Sequence, residues 1–458
     1  MKALLRLAAQ SAWNRRFVLS LVVLSIALST LLLLGIARLR DDVRKNFAQS
    51  VSGTDLIVGA RTGSVQLLLY SVFRIGGATN NIQWSSVQSL ARLPAVDWVV
   101  PISLGDSHRG FPVVATTGDY FRRFRYGEAQ PLALAEGRAF DDTPATPATP
   151  AIPVSPVAVA TPAGPGAPSS PEGSRRLPPD LFGVVLGADV AASLGYQLGD
   201  QVVLSHGDGA LAANDHADKP FHVIGVLRRT GTPVDRSLHI SLAAMEAIHL
   251  DWVAGAPIPG QAVSLDALAG QDLTPRQVTA ALVGLKRRTA VFSTQRRIND
   301  FAGEPLMAIL PGVALDELWD VVALGERSLT LMSAMVAAVS LCGLVAVILA
   351  GLNERRRELA ILRAVGANPA RLFGLLAVEG MLVTVCGVAL GAAACLLLIA
   401  GLGPWVQLRF GIGLSAGLPS LAEWRLLGLV TALGWVASLL PGLRAYALSL
   451  GDGLSPKV

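Results

Sequence analysis

Apolar residues gather in four long runs, and the chain between the first two alternates short apolar strips with polar turns. The first run, "FVLSLVVLSIALSTLLLLGIARL", covers residues 17–39, and the second, "SLTLMSAMVAAVSLCGLVAVILAGL", covers 328–352. The third covers 372–402 and is interrupted only by Glu379. The fourth, 424–448, contains Pro441 and Arg444, which put the expected end of its membrane part near Leu440. Each run reaches the roughly 20 residues that a helix needs to cross a bilayer, so four transmembrane helices are predicted. A basic leader (Lys2, Arg6, Arg15, Arg16) precedes the first run, as in a signal peptide. The run is too long for a signal h-region, and no small-x-small cleavage site follows, so it is expected to remain as an anchor. Residues 1–16 are expected to form a short interfacial amphipathic helix.

Residues 40–327 are enough for one large or two smaller globular units. This segment opens with a polar helical stalk, "RDDVRKNFAQSVSGTD", and closes with another, "GVALDELWDVVALGERSL". Between them, β-branched strips such as "TDLIVG", "DQVVLS" and "FHVIGVL", bounded by glycine and aspartate, predict strands. Helical patterns such as "SSVQSLARL" and "SLAAMEAIHL" alternate with them, which predicts a mixed α/β domain. Residues 141–178 are rich in proline, alanine and serine. Recurrent proline bars helix interiors and sheet ladders, so this tract is expected to be an extended, disordered surface insertion.

Composition agrees with a membrane protein: 52% of residues are apolar and 16% charged, and mean hydropathy is +0.51. Soluble domains carry roughly 25% charged residues. The net charge of +5 brings no aromatic–basic interleaving or groove-reading motif, so nucleic acid is not expected as a partner. Cys342, Cys386 and Cys395 all lie in apolar runs, which excludes a disulfide framework and a cysteine metal site. Charge placement sets the orientation. The loop 353–371 carries Arg355, Arg356, Arg357, Arg363 and Arg371, whereas the loop 403–423 offers only Arg409. The positive-inside rule then puts both termini, the loop 353–371 and the tail 449–458 in the cytoplasm, with 40–327 and 403–423 outside.

Candidate chemistry is sparse. The sequence has no GxxxxGK[ST] loop, GxSxG elbow, HExxH pair or paired-carboxylate motif, so no catalytic site, bound cofactor or metal is expected on this chain. His206, Asp208, Asp215, His216, Asp218 and His222 include zinc-ligand types, but their spacing fits no standard zinc pattern, and a solvated polar turn is expected there. Glu379 lies inside a span, where a charge is costly. A structural polar contact, a position at the headgroups and a transport or proton role are all open to it. Ser25 and Ser29, like Gly387 and Gly391, are four residues apart, a spacing that permits close helix approach.

Within the loop 353–371, Leu359, Ile361, Leu362 and Val365 form an apolar stripe, and Glu354 and Arg357 form an i,i+3 pair. Gly366 suits a helix stop, and Asn368-Pro369 suits an N-cap followed by a first helical residue. A short helix lying on the membrane face is predicted, serving either anionic lipid or a docked cytoplasmic protein.

The stretch "NERRRELAILRAVGANPARLFGLLAVEGMLVTVCGVALG" closely resembles the core motif of the FtsX/MacB-type ABC transporter permeases. Glu354, Arg355, Arg356, Glu358, Leu362, Arg363, Gly366, Ala367, Glu379 and Gly391 fall where that motif has like residues. The tail "LPGLRAYALSLGDGL" is similar to the family's closing segment. "LALAEGRAF", "VVLGADVAASLGYQLGDQVVL" and "FHVIGVLRRTG" look like its MacB-type periplasmic domain. The proline-rich insertion departs from the pattern.

The resemblance implies a fold of four transmembrane helices with a large MacB-like α/β domain between the first two, in a bacterial inner membrane. It further implies a separate ATPase subunit, binding ATP and Mg, that docks on the coupling helix through Glu354, Arg355, Arg356, Glu358, Leu362, Arg363 and Gly366. A second permease chain, identical or related, and a periplasmic or lipoprotein partner are also implied. ATP-driven closure would move the stalks and the outer domain (mechanotransmission), exporting or extracting lipoproteins, peptides or amphipathic drugs. The alternatives are an FtsX-like scaffold that switches a cell-wall hydrolase and a membrane-anchored receptor without an ATPase.

Overall fold

The computed structural model describes residues 16–50, 52–141, 180–207, 215–253, 256–258, 263–268, 271–354, 368–410 and 413–451. Most of the loop 353–371, the interfacial segment 1–15 and nearly all of the proline-rich tract lie outside these residues. The chain divides into two compact units, 1–45 with 319–458, and 46–318.

The first unit contains four helices long and apolar enough to cross a membrane. They run Arg16–Gln49, Pro311–Glu354, Pro369–Phe410 and Leu421–Gly451 and are called spans one to four. All four outrun their apolar runs, and no proline interrupts either stalk. The two predicted stalks are thus continuations of spans one and two. Span three continues through Pro404 to Phe410, and the span-four helix runs past Pro441 to Gly451, while its stretch apolar enough to cross a membrane is Leu421–Leu440, the end expected from Pro441 and Arg444. Proline inside a helix removes a ladder bond and crowds the carbonyl one turn back, so a local kink is expected at each of these two positions. Span three starts as its Asn-Pro pair predicts, with Asn368 Oδ1 accepting from the Ala370 N–H at 3.2 Å.

Inward faces of the spans meet in an apolar core that includes Leu19, Val22, Ile26, Leu34, Leu344, Ile348, Val383, Val388, Cys395, Leu427 and Val430. Outward faces expose Leu21, Leu24, Met332, Met335, Leu397 and Leu429, as hydrocarbon contact requires.

In the second unit, eleven strands among the described residues form one mixed sheet. They are β1 (Leu56–Ala60), β2 (Val96–His108), β3 (Phe111–Thr116), β4 (Leu134–Gly137), β5 (Gly183–Leu186), β6 (Gln201–Val202), β7 (Ser205–His206), β8 (Phe221–Leu227), β9 (Leu238–Ser241), β10 (Ala280–Leu285) and β11 (Leu306–Ile309). The order is β11-β1-β10-β2-β3-β9-β5-β8-β4, with β7 paired to β2 and β6 to β8. The pairs β3/β9 and β5/β8 are parallel, and the others are antiparallel. Strand β8 shows why these residues form a sheet: Phe221, Val223 and Leu227 are buried, while the intervening His222 is exposed. Strand β1 is buried along its whole length between two neighbours, which accounts for its continuous apolar strip. Trp84–Ala91 and Leu242–His249 are helical, close to the predicted bounds, and cover the core through Val87, Leu90, Ala244 and Ile248.

Residues 208–214 of the histidine-rich turn lie outside the described residues, and its two described histidines do not face solvent as expected: His216 is fully buried and His206 half-buried, with β7 paired to β2. Asp218 pairs with Lys219 at 2.7 Å, and Asp215 accepts from Ser205. His222 stays exposed, and Asp208 lies outside the described residues.

Candidate functional site: the membrane bundle and its stalks

Span one lies between spans two and three, and the small residues of the sequence mark both contacts. Ser25 and Ser29 each bring a hydroxyl to within 2.8 Å of Ser340 Oγ on span two. Such interhelical bonds contribute about 0.6 kcal/mol each in membrane bundles. On the other side, a Cβ at Gly387 would stand 2.8 Å from the side chain of Ile26, and one at Gly391 would stand 2.4 Å from the Ala27 carbonyl. Both glycines therefore let the backbones of spans one and three touch. Spans three and four meet in the same way where Gly380 faces Ser438 and Gly434 faces Thr384.

Glu379 is 5% exposed, inside the bundle rather than on the lipid face, and it is not without a partner. Of the residues assigned to the coupling helix, Arg355, Arg356, Glu358, Leu362, Arg363 and Gly366 lie outside the described residues, and Glu354 closes the span-two helix.

A second polar layer joins the outer end of span one to the loop before span four. Arg38 Nε donates to Glu423 Oε1 at 3.0 Å, with both side chains about 5% exposed, and Arg38 Nη2 donates to the Gly417 carbonyl at 2.7 Å. One turn further on, Asp42 accepts from the Ser415 N–H at 2.9 Å and from its hydroxyl at 3.0 Å. Removing one partner of a buried ion pair costs about 3–5 kcal/mol, so this layer pins the loop to span one. Sequence reading did not single out Arg38, Asp42, Ser415 or Glu423. One signal was available, because Ser420-Leu421-Ala422-Glu423 is a capping box at the start of span four. In the structure the Glu423 N–H donates to Ser420 Oγ at 3.3 Å, and Glu423 Oε2 accepts from the Ser420 N–H at 2.6 Å.

The stalks of spans one and two also touch. Arg40 pairs with Glu326 at 3.3 Å, and the Arg44 guanidinium lies over the Trp319 ring at 5.6 Å. Both helices end inside the outer unit. There Phe47 stacks on Phe73 at 4.2 Å, the Gln49 carbonyl accepts from the Gly127 N–H at 2.9 Å, and Ser64 donates to Glu317. Each of these helices has residues in both units.

Comparison with known proteins agrees with this architecture. The FtsX-like permease C-terminal family matches residues 330–450, and the MacB-like periplasmic core domain family matches residues 19–285. The lipoprotein-releasing system transmembrane protein LolC of Neisseria meningitidis serogroup B is 26% identical over 229 residues, 47% of this chain and 49% of that protein. The chain thus spans about half the length of that relative. Among solved structures, the periplasmic region of MacB from Actinobacillus actinomycetemcomitans covers 59% of this chain and 94% of its own, at 11% identity and a TM-score of 0.31. The extracellular domain of the noncanonic ABC-type transporter YknZ from Gram-positive bacteria covers 56% and 99%, at 13% identity and a TM-score of 0.28. The MacB-like match takes in more than half of the sequence and the FtsX-like match most of its C-terminal part. On that basis this membrane-embedded chain belongs to the FtsX/MacB-type family of ABC transporter permeases.

Proposed function

We propose that this permease works by mechanotransmission: a separate ATPase subunit hydrolyses ATP, and the resulting motion passes along spans one and two to the outer domain. The observation that carries this reading is the pair of uninterrupted helices, Arg16–Gln49 and Pro311–Glu354, joined by Arg40–Glu326 and by Arg44 over Trp319. A rigid helix transmits displacement along its axis, whereas a loop at the membrane boundary would absorb it. The apolar outward faces of the spans, and the absence of a polar lining in the sequence of any span, favour work on the outer side over passage of a hydrophilic solute.

In this reading the ATPase, with its ATP and Mg, docks on the cytoplasmic helix at Glu354, Arg355, Arg356, Glu358, Leu362, Arg363 and Gly366. Two permease chains share a pair of ATPases, in a bacterial inner membrane with both termini cytoplasmic. The cargo is a lipid-anchored or amphipathic molecule drawn from the outer leaflet or periplasm, the class to which the name of the LolC relative points.

The test is purification of the chain from native membranes in mild detergent, with mass spectrometry of the proteins that accompany it. An ABC-type ATPase is expected with the wild type and is expected to be lost from the Glu354→Lys/Glu358→Lys double variant. An ATPase that accompanies the variant equally well would sink the docking helix. A cell-wall hydrolase recovered in its place of cargo would turn the reading toward a signalling scaffold.

A further inference from the structure

Strand β2 contains a bulge. Leu104 faces Val114 and Ser107 faces Pro112, so one residue of β2 is unmatched between them. Bulges re-aim side chains, and here the turned residue is Asp106, whose side chain is fully buried. Strand β7 pairs along the other edge of β2 and sets His206 directly opposite Asp106. The bridge between Ser205 and Asp215 then brings in the next residue, His216. The helix Leu242–His249 supplies the fourth group. His249 donates Nδ1–H to the Met245 carbonyl at 2.9 Å, which fixes its tautomer and turns Nε2 toward the others.

The four donor atoms lie within 4.8 Å of one another. His206 Nδ1 stands 3.0 Å from Asp106 Oδ1 and 3.1 Å from His249 Nε2. His249 Nε2 stands 3.4 Å from Asp106 Oδ1, and His216 Nε2 stands 4.0 Å from Asp106 Oδ2. A tetrahedral zinc with bonds of about 2.0–2.2 Å holds its ligand atoms about 3.3–3.6 Å apart, which is the middle of this range. Independently of these distances, Asp106 Oδ2 and both ring nitrogens of His216 are buried without a hydrogen-bond partner among the described residues. Three such atoms in one spot would be a heavy desolvation cost for a merely structural cluster. Trp252 closes the site, its ring 4.2 Å from that of His216.

We propose that Asp106, His206, His216 and His249 bind one zinc ion. Three imidazoles and one carboxylate suit zinc and disfavour magnesium and calcium, which take oxygen ligands. Four protein ligands fill a tetrahedral ion and leave no open position, so the zinc is structural. It clips strand β2, strand β7, the residues from Asp215 onward and the helix Leu242–His249, and it extends the fold without bearing on the transport reading.

The test uses the full chain in detergent, carrying no polyhistidine tag and stripped with a chelator. Calorimetric titration with zinc chloride is expected to give one ion per chain. Cobalt(II), used as an optical substitute, is expected to give the intense visible bands of a tetrahedral site, a readout that needs no variant. Asp106→Asn and His249→Gln are expected to abolish stoichiometric uptake, and His222→Ala, which removes an exposed histidine outside the cluster, is expected to keep it. Thermal melts without metal establish that each variant is folded. No stoichiometric zinc uptake by the wild type, an octahedral cobalt spectrum, or equal uptake by folded Asp106→Asn would overturn the site.

Discussion

His239 is a histidine kept neutral by its surroundings. It is fully buried on β9, its Nδ1–H donates to the Val185 carbonyl at 3.3 Å, and its Nε2 has no partner among the described residues. The ring lies among Tyr120 and Phe121, with centroids at 5.3 and 5.9 Å. Burial, and secondarily the charge of Arg74, push its pKa down to about 3. A group depressed in this way binds its proton more readily when the chain is unfolded. Stability contributed by the neutral ring is therefore complete above about pH 6.5 and is lost as pH falls from there toward 3, by about 1.4 kcal/mol per unit. His239→Phe, which keeps an aromatic ring in an aromatic site, is expected to flatten the fall in melting temperature of the full chain between pH 6.5 and 5 by one proton's worth. A pH profile identical to the wild type would mean that His239 takes up its proton in the folded state as easily as in the unfolded one.

At the scale of helices, the bundle is held by close backbone approach. A Cβ on Gly391 would meet the Ala27 carbonyl at 2.4 Å, and backbone has no room to give. Gly391→Val is therefore expected to cost about 1–3 kcal/mol by overpacking and to lower the melting temperature in detergent. Gly401→Val provides the control, because it changes the same helix where a Cβ would meet nothing within 4 Å. Equal melting temperatures for the two variants would show that spans one and three do not pack through this contact. The four-residue spacing of Gly387 and Gly391 was visible in the sequence, and so was that of Ser25 and Ser29. Which neighbour each pair faces was not visible, because Ser340 lies more than 300 residues from Ser25 in the chain.

Across the whole molecule, the long helices with an end in each unit carry the proposed coupling. Leu324 is 74% exposed on the span-two stalk, so a substitution there disturbs backbone rather than packing. Leu324→Pro removes a ladder bond and breaks the stalk locally, at about 3 kcal/mol. With this variant an ATPase is expected to co-purify as before, while ATP no longer changes hydrogen exchange in the outer domain. An ATP response as large as that of the wild type would show that motion reaches the outer domain by another route.

The sequence alone determined what depends on local composition and period. Four runs of bilayer length, the strands marked by β-branched residues, the helix start at Asn368-Pro369 and the family motif from Asn353 to Gly391 are all properties of neighbouring residues, and each was legible without coordinates. The capping box Ser420–Glu423 was legible too, although its ion pair with Arg38 was not. Tertiary structure alone decided whatever depends on residues far apart in sequence. A bulge in β2 turned Asp106 inward, and pairing of β2 with β7 set His206 against it. Placement of His249 at a helix end then completed a cluster in a stretch whose own composition reads as a solvated turn. Donor spacing along one segment is a short-range property, whereas convergence of four donors from separate elements is fixed only when the sheet's register is fixed.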